Sequence, residues 1–256
     1  MSVRFRIPSL VVAAALVTST VHASESQGWR WSITPYAWAT DVGVDVSLDG
    51  RQVVSETIPV EDLLEDIDAT FQGRIEARNG RHGLLLDVFY VSMSDSVQGF
   101  ALPQGLGQGD LDWKMDMTIA DVAGTYDPDG DGEGLSYLYG TRIIDQRFDA
   151  DARFTTSGGT NAESYGGSDT LFDVLAGVRY SRPLGEHWRF QSQLDVSTGG
   201  TEYTWSAFPS FSYGFGDGSC SLLAGYRHMS IRFEEQGGLE SEMSLSGPVL
   251  GLRFSF

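Results

Sequence analysis

Four stretches repeat the pattern Gly-x-Arg: Gly140/Arg142, Gly177/Arg179, Gly225/Arg227 and Gly251/Arg253. In an extended chain residues two apart share a face, so each glycine stands beside its arginine. A glycine there leaves room for the long side chain to lie flat. A guanidinium is always charged and pairs with carboxylates in a planar, bidentate fashion. By the same parity Arg74, Glu76, Arg78, Asp87, Asp173, Arg189 and Asp195 join the set. The chemistry these residues can do is ion pairing away from bulk water. A second group sits in "DPDGDG", where Asp127, Asp129, Asp131 and Gly132 match the opening positions of a calcium loop. The closing glutamate is missing, its place taken by Leu138, so an acidic, glycine-rich turn is the favoured reading.

The elements that must position these groups are strands. Trp188, Phe190, Leu194 and Val196 alternate with Arg189, Gln191, Gln193 and Asp195. Phe172, Val174, Ala176, Val178 and Tyr180 oppose Asp173, Gly177 and Arg179. A period of two means β-structure with one apolar and one polar face. The pattern predicts strands at roughly 29–41, 68–79, 82–95, 113–126, 135–149, 170–182, 186–198, 202–215, 218–234 and 240–256. Helical periodicity is nearly absent; "PVEDLLEDI" at 59–67 is a short amphipathic exception. The connections at 79–81, 182–186 and 216–218 are short. Those at 42–67, 96–112 and 150–169 read as long, polar loops, with Asp49-Gly50 marking a hairpin turn in the first.

Long strands, short turns on one side and long loops on the other describe a transmembrane β-barrel. Its apolar face points to lipid and its polar face to the lumen. Trp29, Trp31, Tyr180, Trp188, Phe254 and Phe256 fall near strand ends, where an aromatic girdle belongs. The predicted fold class is all-β: a transmembrane antiparallel up-and-down β-barrel of ten strands, with eight or twelve as alternatives. Ten strands leave little bore once side chains fill it. The charged lumen is therefore read as an ion-paired plug, and the alternative is a constriction that selects solutes.

Composition agrees. Residues 1–23 read as a signal peptide, with Arg4 and Arg6 before an apolar core and Val21-His22-Ala23 as a cleavage site. Residues 24–256 then form the barrel, with 15 basic and 35 acidic residues. That balance argues against nucleic acid as a partner. The single cysteine, Cys220, excludes an internal disulfide framework. No cofactor is expected.

Several segments resemble the Gram-negative outer-membrane β-barrel superfamily: "WRWSITPYAW", "VEDLLEDIDATFQGRIEARNGRHGLLLDVFYVSMSD", "LLAGYRHMSI" and "LSGPVLGLRFSF". The resemblance implies export to the cell outer membrane and contact with its lipid and lipopolysaccharide. A last strand ending in Phe256 resembles the signal that the barrel-assembly machinery recognises, and a monomer is expected. One architecture hosts pores, enzymes and adhesins, so activity does not follow from it. His228, Ser230 and Glu242 resemble the catalytic spacing of outer-membrane lipid A 3-O-deacylases. That resemblance would make Ser230 the nucleophile, His228 the base and Glu242 its orienter. The family has Asn after the serine, where this chain has Ile231, and Glu242 can equally pair with Arg232. The expectation is therefore a non-enzymatic barrel, structural or a narrow passive channel. The alternatives are a rim-facing esterase and a surface-binding module acting through extracellular loops.

Overall fold

The computed structural model describes residues 28–101, 107–156, 159–216, 218–236 and 239–256; the predicted signal peptide lies outside them. The chain forms β1 (Arg30–Trp38), β2 (Asp41–Leu48), β3 (Arg51–Ile58), the single-turn helix α1 (Val60–Leu63), β4 (Ile67–Asn79), β5 (His82–Ala101) and β6 (Gly107–Tyr126). It continues as β7 (Gly134–Thr156), β8 (Gly159–Pro183), β9 (Trp188–Gly199), β10 (Tyr203–Phe215), β11 (Cys220–Gln236) and β12 (Leu239–Ser255). Ten of these close an antiparallel ring, β1-β4-β5-β6-β7-β8-β9-β10-β11-β12, sealed by pairing of β1 with β12.

The two remaining strands extend the ring. β12 pairs with β1 from Ser255 to Val249, then with β2 from Ser246 to Leu239. β1 and β2 are thus one stave, interrupted at Ala39-Thr40, where the Ala39 N–H still donates to the Pro248 carbonyl at 3.0 Å. β3 folds back on β2 through Asp49 and Gly50, both at positive φ (48° and 72°). This is the mirror-image turn that suits the twist of a two-residue hairpin.

The loops expected at 96–112 and 150–169 are largely strand. β5 and β6 pair out to Ala101 opposite Gln108, and β7 and β8 out to Thr156 opposite Gly159. On β8 the reason is solvent. Every residue from Gly159 to Thr170 is exposed, so no burial pattern marks that strand and backbone pairing maintains it. On β7 the alternation does continue, Phe148, Ala150, Ala152 and Phe154 against Asp149, Asp151 and Arg153, with Ala150 and Ala152 buried. β7 and β8 run 23 and 25 residues against 12 and 13 for β9 and β10. A strand needs only about 9–11 residues to cross a bilayer core. The barrel therefore has a tall side, β5 to β8, and a low side, β9 and β10.

The outer face carries the large apolar side chains bare. Val174 is 73% exposed, Phe172 61% and Leu250 58%. A belt of this kind is stable only against lipid. At the end bearing the short turns, Trp29, Trp31, Tyr180, Trp188, Phe254 and Phe256 are all exposed. Trp188 and Tyr213 meet edge-on at 5.1 Å between ring centres. This is the aromatic girdle.

The Gly-x-Arg glycines do something other than make room for arginine. A Cβ on Gly177 would lie 2.7 Å from the Leu194 carbonyl oxygen on β9. One on Gly140 would overlap the Val122 carbonyl on β6. These glycines let adjacent strands approach. Gly140→Val is expected to push β6 and β7 apart and cost about 1–3 kcal/mol, the usual penalty of overpacking. A lower urea midpoint of the refolded barrel, followed by its heat-modifiable electrophoretic mobility, would show it.

Candidate functional site

The lumen is the site that the inward residues build. Adjacent strands place Arg74, Asp87, Asp121, Arg142 and Asp173 directly opposite one another in register across β4 to β8. Four of the five join two buried ion clusters. In the first, Arg142 donates from Nε and Nη2 to both oxygens of Asp121, at 2.7 and 2.8 Å. Its Nη2 also reaches across β8 to Asp195 at 2.8 Å. The Gln193 amide and the Ser206 hydroxyl complete the shell of Asp195. Arg142 has no solvent exposure.

In the second, Asp87 accepts from Arg74 at 2.7 Å, from Arg227 at 3.3 Å and from the Tyr36 hydroxyl at 2.7 Å. The Arg227 guanidinium also lies 4.9 Å from the Trp38 ring centre. A cation–π contact of this kind helps hold a charge taken out of water. Towards the terminal end, Glu76 bridges Arg179 at 2.9 Å and Arg74 at 3.8 Å.

Four predicted members stand apart from these clusters. Asp173 makes no ion pair; it accepts from the Ser197 hydroxyl and from the N–H and hydroxyl of Thr201, so it braces the β9–β10 turn. Arg78 ties down the turn after β6 by donating to Asp127 at 2.6 Å. Arg189 donates to Ser181 at 3.1 Å and lies 3.8 Å from Glu133 at the rim. Arg253 faces the lumen with one weak contact, to Thr34 Oγ1 at 3.5 Å.

"DPDGDG" is a turn built on Asp127. One of its carboxylate oxygens accepts from the N–H groups of Asp129 and Gly130, the other from Gly132 N–H and Arg78. Asp131 accepts from Glu133 N–H. The carboxylates are turned onto the backbone, and no metal-holding group of His, Cys, Asp or Glu occurs among the described residues.

The three residues resembling a deacylase relay are not connected in that order. Ser230 donates to Glu242 at 2.6 Å, and Glu242 also accepts from Arg232 at 3.2 Å. His228 Nδ1 lies instead 2.6 Å from the Ser246 hydroxyl, and its ring stacks against Trp205 at 4.6 Å. The imidazole is thus bonded to neither Ser230 nor Glu242, because register sets it opposite Ser246 on β12. Ser230 is 2% exposed.

Much of the filling went unread in the sequence. Trp38, Phe89, Met117, Ile119, Ile144, Phe208, Met229 and Ile231 point inward with Leu223, Leu245 and Val249 and form a dry layer in the bore. Ile144, Met229 and Ile231 have no exposure. Parity held the signal: Ile119, Asp121 and Ala123 alternate against exposed Val122, and Ile144 lies two residues from Arg142. Beside Arg74, Phe208 and Arg227 the free space is about 10 Å³. That is at the limit for a single water.

No protein-family model matches the chain, and no curated protein sequence does. Solved structures do match. The outer-membrane protease OmpT from Escherichia coli superposes with a TM-score of 0.54 at 10% identity, covering 93% of this chain and 100% of that one. Ail, the attachment invasion locus protein of Yersinia pestis, gives 0.36 at 10% identity, covering 90% and 100%. Neisserial surface protein A gives 0.28 at 14% identity, covering 90% and 99%. The chain has the fold of the Gram-negative outer-membrane β-barrels. In that fold the short turns face the periplasm and the longer connections face outward. The girdle at residues 29–31 and 254–256 lies at the end that carries the short turns, and the tall side of the barrel stands at the opposite end.

Replacing Arg142 by Met strands two buried carboxylates, and breaking such a cluster costs about 3–5 kcal/mol. The urea midpoint of Arg142→Met should fall accordingly. Arg142→Met combined with Asp121→Leu and Asp195→Leu should recover most of that loss, since a complete buried cluster can be exchanged for packing apolar groups at little net cost.

Proposed function

We propose that the protein is an integral outer-membrane barrel with a sealed lumen, a rigid mount that displays a strand-built extension outside the cell. The observation that carries this reading is the dry layer. Ile144, Met229 and Ile231 are fully buried inside the ring, and the charge clusters of Arg142 and Asp87 close the bore beside them. A path for ions would need polar groups and water throughout its length. Here an apolar section is packed shut, and the arginines nearby are paired with carboxylates across strands.

The projecting part is acidic. Along the far halves of β5 to β8 stand Asp95, Asp112, Asp116, Asp149, Asp151 and Glu163, against Lys114, Arg147 and Arg153. Long ladders on a closed base hold such a surface stiffly, at less entropic cost on contact than mobile loops would carry. The reading assigns the chain no catalysis, places it in the outer membrane among lipid and lipopolysaccharide, and treats it as a monomer assembled through its β12 end.

Refolded mature protein in planar bilayers is expected to give no discrete conductance steps. The double variant Trp38→Ala/Phe89→Ala, which removes bulk from the dry layer, is expected to give them. Reproducible steps from the unaltered protein that change when Arg179 or Arg227 is neutralised would establish a passive channel instead.

A further inference from the structure

The short-turn end of the lumen, periplasmic in the proposed orientation, holds a cavity of about 270 Å³ that the sealed layer has no use for. Arginines gather on its wall. Six of the chain's 17 basic residues line it: Arg30, Arg78, Arg81, Arg179, Arg189 and Arg253. In a chain of formal net charge −18 this concentration runs against the overall balance.

The carboxylates on the same wall do not neutralise it. Asp127 is consumed by the turn it caps and by Arg78. Asp131 is turned onto the Glu133 N–H, and Glu133 reaches only Arg189, at 3.8 Å. Glu76 is shared among three guanidiniums, paired with Arg179 at 2.9 Å and Arg74 at 3.8 Å and facing Arg253 as well. Among the described residues Arg253 forms no ion pair, and its one hydrogen bond is the 3.5 Å contact with Thr34. Arg179 donates from Nη2 to Gln193 at 3.0 Å, but its buried Nε has no hydrogen-bond partner among the described residues. A guanidinium withdrawn from water and left short of an acceptor, as at Arg179, costs free energy until an anion supplies it. The planar guanidinium fork matches the oxygens of phosphate and carboxylate.

We propose that this vestibule is a binding site for a small organic phosphate ester, held by Arg179, Arg189 and Arg253 and exchanged with the periplasm. The volume exceeds that of a lone phosphate and leaves room for an organic substituent. Such a phosphate reaches the site either as a soluble molecule or as a lipid headgroup of the inner leaflet. The site stands whether or not the bore above it is sealed, because its walls lie on the periplasmic side of the dry layer.

The test is calorimetric titration of the refolded mature protein at low salt. One arm adds glycerol 3-phosphate to protein in purely zwitterionic nanodiscs. The other compares nanodiscs with and without phosphatidylglycerol, reading occupancy by native mass spectrometry. Saturable binding in the first arm identifies a soluble ligand; retention of phosphatidylglycerol alone identifies the headgroup. In either case Arg253→Gln should weaken binding at least tenfold, and Lys114→Gln, on the extracellular extension, should leave it unchanged. Should Arg253→Gln fail to show the heat-modifiable shift of a folded barrel, Arg189→Gln at the open rim carries the test, with a severalfold loss expected. Absence of saturable binding in both arms, or affinity untouched by both arginine substitutions, overturns the proposal.

Discussion

Every backbone N–H and C=O that crosses lipid must find its partner within the protein, because the bilayer core supplies none. In this chain the requirement is met at the seam, where β12 pairs with β11 on one side and with β1 and then β2 on the other. Without that closure both edges of the sheet would be bare in hydrocarbon. The seam also explains the interruption at Ala39-Thr40. The stave can break there because the Ala39 N–H is still satisfied by Pro248, and Gly247 lets the two backbones meet closely.

Closure creates an interior that must be filled. A ring of ten strands is too wide for one layer of methyl groups and too narrow to leave a broad aqueous pore. This chain fills it in two ways. Around Arg142 and Asp87 it uses ion clusters, in which each charge meets several partners. Around Ile144, Met229 and Ile231 it uses apolar packing of the density found in soluble cores. The first specifies geometry, because guanidinium forks and carboxylates pair in few orientations. The second excludes water. Towards the end that carries the short turns the filling stops short, and there the arginines outnumber the carboxylates free to meet them.

Unequal strand length is the other consequence. Lipid sets a minimum crossing length but no maximum, so β7 and β8 continue beyond the membrane as a paired ladder while β9 and β10 end soon after crossing. From Gly159 to Leu171, β8 pairs with β7 alone, since β9 ends opposite Asp173. Its exposed edge there carries Glu163, Asp169 and two adjacent glycines, Gly166 and Gly167. Charge and glycine discourage another strand from adding to such an edge.

The sequence by itself determined the architecture inside the membrane. Period-two alternation, aromatic strand ends and short turns are imposed by lipid on one face and a lumen on the other, so ten strands and the inward set from Arg74 to Arg253 were legible. Beyond the membrane that constraint weakens: β8 from Gly159 to Thr170 is exposed throughout and reads as a loop, while on β7 the strand reading stops at 149 although Phe148, Ala150, Ala152 and Phe154 continue the alternation. Parity also says which side chains enter the lumen and is silent about which of them meet. Asp87 and Arg227 are 140 residues apart, and Asp173 stands in register with Arg142 yet bonds to Thr201. Those pairings depend on strand tilt and on the height each residue reaches around the ring. Only the closed tertiary structure decided them, and with them the packed bore, the separation of His228 from Ser230 and Glu242, and the arginine vestibule.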